Sequence, residues 1–439
     1  MRLLVAKAQA PLQGELAIPP SKYHAHRALM LAALAPGQTT IHGRTEARHV
    51  QFTLGALRDL GVKIQSQGDT WIVDGNGFSP PGDGVDVGSS GTTLYFLIGL
   101  ACLGDRPVTF TGQRYFKRRP IGPLLRALQR LGVRLEYEGQ TLPVTVYPGR
   151  PKGGHVRIDG TLSQWISGLL MLAPYASNDT EIEVVGELNE RGYLELTLEM
   201  MRDFGLEVEA SEDWRHFRVK GNQTSVSPGK VLLPPDIGSA AFGLAACALH
   251  PSKVTFTTQT PIHGHPEARV LTELQSVGVP MKIAPDGYSI TIDHDGTPPV
   301  AGRLDCRDIP DMVPILSTLA ARARGRTVLS HVSHARLKES DRVMSMLQLR
   351  KMGAHVEFDG NDMEFEGVSK LHGAQLSSFN DHRVLMALAI AGSTAEGMTE
   401  LSFPHAYRIS YPEFIDHMKQ LGVPIGVTRE VSAIPGELS

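Results

Sequence analysis

The chain repeats one pattern of hydrophobic and polar positions. Apolar residues at helical spacing lead into an apolar-glycine-apolar motif, after which apolar and polar residues alternate. Glycine adopts the left-handed conformation that ends many helices, so each motif predicts a helix end followed by a strand, as at 133–137 and 206–209. The six motifs, whose glycines lie about 69 to 75 residues apart, are Leu60-Gly61-Val62, Leu131-Gly132-Val133, Phe204-Gly205-Leu206, Val277-Gly278-Val279, Met352-Gly353-Ala354 and Leu421-Gly422-Val423.

A second helical segment precedes each of these helices. It is rich in alanine, glycine and leucine and carries few charges, which is typical of a helix buried on most sides. We expect three such helices in the interior of each of two domains, with sheets outside them. These segments contain residues 27–30, 92–95, 167–170, 240–243, 313–316 and 383–386.

The length of the chain predicts two domains. With 439 residues it exceeds the size of a single hydrophobic core, and three repeats apiece divide it evenly. A polar stretch with glycine and proline at 221–229 separates the third and fourth repeats. We place the boundary near Pro234-Pro235 and a second crossing near Pro19-Pro20. The predicted domains are residues 21–234 and residues 1–20 together with 235–439.

Composition excludes several classes of function. A net charge of -3 without a basic stripe argues against nucleic-acid binding. The sequence has no signal-peptide pattern and no run near the ~18 apolar residues of a membrane span. Cys102, Cys247 and Cys306 are odd in number and far apart, so we expect buried thiols in a reducing compartment. We therefore expect a cytoplasmic monomer that binds small molecules and neither nucleic acid nor membrane.

Polar residues are concentrated where the six buried helices begin. Unpaired N–H groups and the helix dipole attract anions at this end. Serine, aspartate and asparagine there can serve simply as N-caps, whereas Lys22 and Arg383 are disfavoured by the dipole and therefore indicate a nearby anion. The helix starts are Ser21-Lys22 with Arg27, Ser90-Gly91-Thr92-Thr93, Ser163-Gln164, Asp236-Ile237-Gly238-Ser239, Pro310-Asp311 and Asn380-Asp381-His382-Arg383.

Two of the amphipathic helices also begin with dense charge, at 118–123 and 338–342. Each segment alone fits a solvated helix start. Arginine, however, pairs bidentately with carboxylate and phosphate groups. Arg119, Arg342 and Arg383 together therefore predict a site for a small di-anion such as a phosphorylated carboxylic acid.

At these residues the chain resembles the EPSP synthase (3-phosphoshikimate 1-carboxyvinyltransferase) family of enolpyruvyl transferases. The resemblance spans nearly the whole chain, and its motifs occur in order, one after another along the repeats. They are Pro20-Ser21-Lys22 through Arg27-Ala28, Gly91-Thr92, Arg119-Pro120-Ile121-Gly122, Ser163-Gln164, Pro310-Asp311, Lys338-Glu339 with Asp341-Arg342, and Asn380-Asp381-His382-Arg383.

The resemblance implies both a fold and a reaction. The fold is a two-domain inside-out α/β barrel of six βαβαββ repeats, three per domain, with the active site in the interdomain cleft. The reaction moves the carboxyvinyl group of phosphoenolpyruvate to an alcohol and releases phosphate, with neither a metal nor an organic cofactor.

The resemblance also implies roles for individual residues. Asp311 is the expected base at the acceptor hydroxyl, Glu339 the expected proton donor to the methylene carbon, and Lys22 is expected to assist proton movement. The residues expected to bind phosphoenolpyruvate are Lys22, Gly91, Arg119, Gln164, Arg342 and Arg383. Those expected to bind the acceptor are Tyr23, Arg27, Ser163, Gln164, Glu190, Tyr193, Asp311, His334 and Lys338.

The chain departs from the family pattern mainly where the acceptor is expected. A serine pair at the acceptor phosphate is reduced to Ser163, and a carboxylate beside a bound phosphate would repel it. The other substituted positions are Tyr23 and Glu190 for serine, His334 for asparagine, Tyr95 for arginine, and Ile409, next to Arg408, for lysine.

These departures leave three hypotheses open. The acceptor is shikimate 3-phosphate, as in the family, or it is a different hydroxyl compound of specialised metabolism. In the third, the protein is a catalytically impaired homologue that acts in binding or regulation.

Overall fold

The structure, a computed structural model, describes residues 1–117, 119–262 and 264–428. Within these residues the chain alternates helices and short strands. The α-helices are α1 Lys22–Leu34, α2 Arg48–Asp59, α3 Gly91–Leu100, α4 Gly122–Arg130, α5 Ser163–Leu172, α6 Arg191–Asp203, α7 Ile237–Leu249, α8 Arg269–Ser276, α9 Val313–Arg322, α10 Arg342–Met346, α11 His382–Thr394 and α12 Phe414–Leu421.

The strands are short, as expected for small sheets beside helices. In chain order they are β1 Arg2–Ala6, β2 Leu12–Ala17, β3 Gly37–His42, β4 Lys63–Gln67, β5 Thr70–Gly75, β6 Gly84–Asp86, β7 Val108–Thr111, β8 Leu135–Tyr137, β9 Val144–Val146, β10 Gly154–Asp159, β11 Thr180–Val185, β12 Glu209–Ala210, β13 His216–Val219, β14 Lys230–Leu232, β15 Pro251–Thr257, β16 Met281–Ile283, β17 Ser289–Asp295, β18 Arg303–Asp305, β19 Arg326–Ser330, β20 His355–Phe358, β21 Met363–Glu366, β22 Gln375–Leu376, β23 Met398–Leu401 and β24 Ile425–Thr428.

Turns of 3₁₀-helix extend or connect several of these elements. They comprise Ala101–Leu103, Arg114–Lys117, Ala173–Tyr175, Pro310–Met312, Ser333–Leu337, Leu347–Met352 and Ala406–Ile409. Two of them bear on the site, because one precedes α9 and another precedes α10.

Within the described residues, the six predicted repeats are confirmed as six four-stranded sheets of one topology. In the repeat from β18 to β21, β18 lies parallel to β19, and β21 lies antiparallel between β19 and β20. Helix α9 joins the two parallel strands, and α10 follows the second of them. This is a βαβαββ unit, as the resemblance implies.

Three sheets take one strand from a distant part of the chain. β14 pairs in parallel with β3, and β2 pairs in parallel with β15. β1 lies between β23 and β24 and is antiparallel to both. Each of these strands fills the place that a strand of the same repeat takes in the other sheets.

The chain forms two compact units. The first, which we call the insert unit, comprises Pro19–Asp236 with Ile262–Pro266, and the second, the terminal unit, comprises Met1–Ile18, Ile237–Pro261 and the chain from Glu267 onward. The short segment Ile262–Pro266 belongs to the insert unit, although the residues on both sides of it in sequence belong to the terminal unit. The terminal residues 429–439, which the predicted second domain includes, lie outside the described residues.

The apolar helices lie in the interior of each unit, as predicted. In the insert unit α3 packs against α1 and α5, and in the terminal unit α7, α9 and α11 pack against one another. Every residue of α7 and of α11 is buried. Small residues permit close packing: a methyl group on Gly168 of α5 would lie 2.3 Å from the carbonyl oxygen of Tyr95 in α3. Among the described residues no helix is long and apolar enough to cross a membrane.

The glycines of the six motifs all adopt the left-handed conformation, which confirms the predicted helix ends. Their φ angles are 88° at Gly61, 91° at Gly132, 72° at Gly205, 87° at Gly278, 91° at Gly353 and 98° at Gly422. After each glycine, the N–H of the next residue donates back into the helix, as from Leu206 to the carbonyl of Met201 at 2.9 Å. This is the hydrogen bond of a Schellman motif.

Hydrogen bonds outside the sheet explain why one predicted strand is largely wrong. We expected a strand at 206–209, but only Glu209–Ala210 pairs with a neighbour. The strand expected at 133–137 likewise begins at Leu135. The N–H of Leu206 closes the helix, and the backbone of Glu207 bonds to the side chain of Gln223, donating to its oxygen at 2.8 Å and accepting from its nitrogen at 2.9 Å. Neither residue therefore pairs in the sheet.

Replacement of Gly61 by alanine should destabilise the insert unit more than replacement of Gly205. Both positions carry the left-handed conformation, which costs about 1–2 kcal/mol for a residue with a Cβ. The Cβ at position 61 would also lie 2.1 Å from the backbone oxygen of Ser79, whereas at 205 the nearest atom is 3.6 Å away. We expect urea unfolding to give about 2 kcal/mol more destabilisation for Gly61→Ala than for Gly205→Ala. Equal losses would contradict the proposed close contact.

Candidate active site

In the terminal unit a buried arginine holds three carboxylates. Arg342, the first residue of α10, has a fully buried side chain. Its Nη1 donates to Asp311 at 2.5 Å, its Nη2 to Glu339 at 2.7 Å, and its Nε to Asp381 at 2.9 Å. Charge-assisted hydrogen bonds of this kind restrict the positions of both partners.

Helix starts bring these groups together. Asp381 caps α11 by accepting from the N–H of Arg383 at 2.9 Å, and Asp341 caps α10 by accepting from the N–H of Met344 at 3.1 Å. Asp311 lies in the 3₁₀ turn that leads into α9. Because α10 packs against both α9 and α11, the starts of three helices supply one cluster.

Arg383 lies on the other side of Asp311. Its Nη1 donates to the carbonyl of Gly238 at 2.8 Å, and its Nη2 lies 3.9 Å from the second carboxylate oxygen of Asp311. Nη2 is also 3.7 Å from the buried carboxylate of Glu267. The positive charge that the sequence places at the start of α11 thus has carboxylates of the chain itself beside it.

The cluster shifts the protonation equilibrium of Arg342. Burial alone would lower the pKa of its guanidinium, but the charges of Asp381, Asp311 and Glu339 outweigh burial and hold that pKa well above its ordinary value. Arg342 is therefore a fixed positive charge at any physiological pH.

The structure also shows the environments of the other predicted positions in the terminal unit. His334 is buried in the turn Ser333–Leu337, and Lys338, which ends that turn, is half-buried. Ile409 is buried, whereas Arg408 is exposed and its Nε lies 3.3 Å from the hydroxyl of Tyr407. Although they are adjacent in sequence, Arg408 therefore faces solvent and Ile409 faces the interior.

In the insert unit, the start of α1 carries Lys22 and Tyr23. The N–H of Lys22 donates to the carboxylate of Asp236 at 3.3 Å, and its Nζ lies 4.8 Å from the centre of the Tyr23 ring. That ring makes edge contacts with Tyr193 at 5.1 Å and His265 at 5.6 Å. Tyr23 is thus a packed part of the unit with 6% of its surface exposed.

Arg27, one turn further along α1, is held by neutral oxygens. It donates from Nε to the hydroxyl of Thr197 at 2.8 Å, and from its Nη atoms to the carbonyls of Tyr23 at 3.0 Å and Tyr193 at 3.4 Å. Burial lowers the pKa of Arg27 to about 10, and the opposing effects of Tyr193 and Tyr23 are smaller.

The start of α3 is linked to Arg119 and Gln164. Gly91 lies so close to the guanidinium of Arg119 that an added methyl group would be 2.2 Å from Nη1. Nη2 of Arg119 lies 3.3 Å from the side-chain oxygen of Gln164, whose nitrogen donates to Thr92 at 2.8 Å. The guanidinium also lies over the Tyr95 ring, at 5.3 Å from its centre. An arginine and a helix N-terminus thus adjoin at one place.

The start of α5 is occupied by a carboxylate. Glu190 accepts from the backbone N–H of Ser163 at 3.1 Å and from the hydroxyl of Ser163 at 2.6 Å. It is 1% exposed and adopts a left-handed conformation with φ of 63°. Glutamate is uncommon in that conformation, which carries a cost in free energy.

Two carboxylates near the site were not predicted. Asp236 was recognised only as a helix start, but it binds the N–H of Lys22, far away in sequence. Glu267 lies against Gly238, where a methyl group would be 1.7 Å from its carboxylate oxygen. Nothing in the sequence around Glu267 resembles a motif, so only the fold identifies it.

The structure therefore groups the predicted residues within each unit. Asp311, Glu339, Arg342 and Arg383 form one cluster in the terminal unit. Gly91, Arg119 and Gln164 form a second in the insert unit. At the start of α6, Glu190 contacts α5 and Tyr193 contacts α1. Their roles in binding and catalysis stay predictions.

A fold of two α/β units with arginines and carboxylates at helix starts is typical of an enzyme that acts on small anions. A sequence model of the EPSP synthase (3-phosphoshikimate 1-carboxyvinyltransferase) family matches residues 6–418. The chain therefore belongs to the EPSP synthase family, and it is a transferase of that kind.

Individual relatives agree with this assignment. A 3-phosphoshikimate 1-carboxyvinyltransferase from Acetivibrio thermocellus is 36% identical over 431 residues, covering 97% of this chain and 99% of that protein. The enzyme of the same name from Methanocaldococcus jannaschii is 34% identical over 436 residues, covering 97% of this chain and 100% of that protein. The structure of EPSP synthase from Acinetobacter baumannii shares the fold with a TM-score of 0.82 at 24% identity, covering 98% of this chain and 100% of that one.

Replacement of Arg342 by methionine should strongly destabilise the terminal unit. It would leave Asp311, Glu339 and Asp381 close together without the cation that they share, and breaking a buried ion pair typically costs about 3–5 kcal/mol. The control is Arg326→Met, which removes an exposed pair with Glu364 and should leave the free energy of unfolding almost unchanged. Urea unfolding measures both, and similar losses would contradict the account of the cluster.

Proposed function

We propose that the protein transfers the carboxyvinyl group of phosphoenolpyruvate to the hydroxyl of an acceptor, with release of phosphate. The observation that carries the proposal is the arrangement around Arg342. One guanidinium holds the carboxylates of Asp311 and Glu339 at 2.5 and 2.7 Å. The two groups expected to move protons are thus fixed side by side by a cation suited to the donor substrate.

The proton steps of this reaction need two groups with opposite tasks. The acceptor oxygen bonds to C2 of phosphoenolpyruvate while Asp311 takes its proton and Glu339 gives a proton to the methylene carbon C3. In the resulting tetrahedral intermediate C3 is a methyl group. The C2–O bond to phosphate then breaks, the methyl group loses a proton, and the vinyl group is restored. General acid and base catalysis by such groups contributes roughly 10²–10⁴-fold to a rate.

The anionic donor needs cations, and both units supply them. We assign Arg342 and Arg383 of the terminal unit, and Lys22 and Arg119 of the insert unit, to phosphoenolpyruvate. An anion bound to the Nη atoms of Arg342 would compete with Asp311 and Glu339 for them. Donor binding would thereby release these two carboxylates for proton transfer.

We further propose that the two units are the domains of the family and serve one reaction. The insert unit contributes Lys22, Arg119 and Gln164, and the terminal unit contributes Asp311 and Glu339. Among the residues that the structure describes, neither unit alone contains all the groups that the proposed reaction requires.

The proposal also concerns the identity of the acceptor. The relatives carry names that specify 3-phosphoshikimate as acceptor. The hydrogen bonds of Glu190 with Ser163 favour a different acceptor. A protein that bound phosphoenolpyruvate but turned over with no hydroxyl compound would instead be an impaired homologue.

Replacement of Asp311 by asparagine should lower kcat about 10²–10⁴-fold, because the variant cannot accept the proton of the acceptor hydroxyl. Turnover is measured as the new carboxyvinyl ether by mass spectrometry, with phosphoenolpyruvate and either shikimate 3-phosphate or shikimate. The control is Asp308→Asn, which removes a half-exposed carboxylate 3.6 Å from Arg269. Activity of Asp311→Asn equal to that of the control would refute the role of Asp311.

Replacement of Gly91 by alanine should raise KM for phosphoenolpyruvate about 10- to 100-fold. The new methyl group would occupy space 2.2 Å from Nη1 of Arg119 and displace the guanidinium, with loss of a charge-assisted hydrogen bond to the donor. Gly55→Ala is the control, because an added methyl group there meets no atom within 4 Å. An unchanged KM in Gly91→Ala would remove Arg119 from the donor site.

A further inference from the structure

Resting on the proposed function, we infer that the acceptor is a hydroxy acid that lacks the phosphate of 3-phosphoshikimate, and that Glu190 determines this specificity. Two features of the insert unit support the inference. A carboxylate of the chain occupies the helix start where an acceptor phosphate is expected, and a buried arginine nearby has only neutral partners among its described contacts.

The first feature is the start of α5. The N-terminus of a helix favours a phosphate, because N–H groups and the positive end of the dipole point toward it. Here the N–H and the hydroxyl of Ser163 both donate to one carboxylate oxygen of Glu190, at 3.1 and 2.6 Å. The donors that would hold a phosphate are thus already bound to an anion of the protein.

The position of Glu190 is held by its surroundings. Its carbonyl accepts from the N–H of Tyr193 at 3.1 Å, and Tyr193 also lies against Tyr23. Because the residue is 1% exposed, its side chain cannot turn into solvent without moving neighbouring groups. The left-handed backbone at Glu190 is a conformation that persists only where the fold enforces it.

The charge of Glu190 would repel a phosphate. A phosphate carries about two negative charges near neutral pH and would lie within a few ångströms of the carboxylate. In a site shielded from water this repulsion is large compared with a single hydrogen bond. A neutral hydroxyl, in contrast, can donate to the same carboxylate. Glu190 therefore selects for a hydroxyl and against a phosphate at this place.

The second feature is Arg27. Its described partners are a hydroxyl and two carbonyls, all neutral, and the residue is 2% exposed. Burial lowers its pKa to about 10, so the site disfavours the charged form by itself. A carboxylate on the acceptor would supply the missing negative charge. Thr197, which accepts a hydrogen bond from Arg27, lies on α6 about two turns after Glu190. Arg27 and Glu190 therefore both lie along α6.

The test compares shikimate 3-phosphate with shikimate, its counterpart without phosphate, as acceptors. We expect kcat/KM of the unchanged protein to be on the order of 100-fold higher for shikimate. Glu190→Ser removes the charge and provides a hydroxyl, so it should shift the ratio of the two kcat/KM values about 100-fold or more toward shikimate 3-phosphate. Glu190→Gln, which keeps the shape, should shift the ratio less.

A matched control is Glu195→Gln on the same helix. Glu195 is half-exposed and pairs with Arg191 at 2.8 Å, so its loss should leave the ratio unchanged. A purely structural role for Glu190 would lower both activities together and would not move the ratio. Preference of the unchanged protein for shikimate 3-phosphate, or an unchanged ratio in Glu190→Ser, would overturn the inference.

Binding separates this inference from the proposed function. If neither acceptor is turned over, carboxyvinyl transfer to this class of acceptor fails, yet calorimetric titration with shikimate 3-phosphate still tests Glu190. Binding at least about 10-fold tighter to Glu190→Ser than to the unchanged protein supports the inference. Equal binding to both proteins refutes it, whatever the catalytic result.

Discussion

A buried positive charge with several partners constrains everything around it. The guanidinium of Arg342 is fully buried, so each of its donors must find an acceptor and its charge must be balanced. Asp311, Glu339 and Asp381 meet that need from three separate segments. The starts of α9, α10 and α11 are therefore fixed relative to one another. Packing of the apolar helices brings the segments close. The hydrogen bonds to Arg342 then fix the positions of the three carboxylates.

The helix starts of the insert unit share one electrostatic property but carry different charged side chains. Each presents unpaired N–H groups and a partial positive charge. At α3 the chain adds Arg119 beside Gly91, which increases the attraction for an outside anion. At α5 it adds Glu190, which satisfies the same donors internally. One side chain can therefore add positive or negative charge at a helix start without a change of fold.

The sequence predicts the repeats well because they depend on local properties. Left-handed glycines such as Gly353 end their helices at the expected residue, and uncharged helices lie in the interior. The strand expected at 206–209 was wrong because hydrogen bonds across a turn compete with sheet pairing there, and hydrophobic alternation does not report that competition. The motif residues were found by resemblance, whereas the contacts of Glu267 and Asp236 join distant segments. The departure at Glu190 was visible in sequence, but its hydrogen bonds to Ser163 were not.

The strands that pair with distant parts of the chain also determine when each unit can be completed during synthesis. The insert unit is nearly continuous in sequence, so most of its contacts are available once Asp236 has been made. The terminal unit is different, because β1 pairs with β23 and β24, which follow much later in the sequence at Met398–Leu401 and Ile425–Thr428. Domains generally fold as units as they emerge from the ribosome. β1 is therefore translated long before its pairing partners, and until they are made its apolar residues Leu3 and Val5 lack the sheet that buries them.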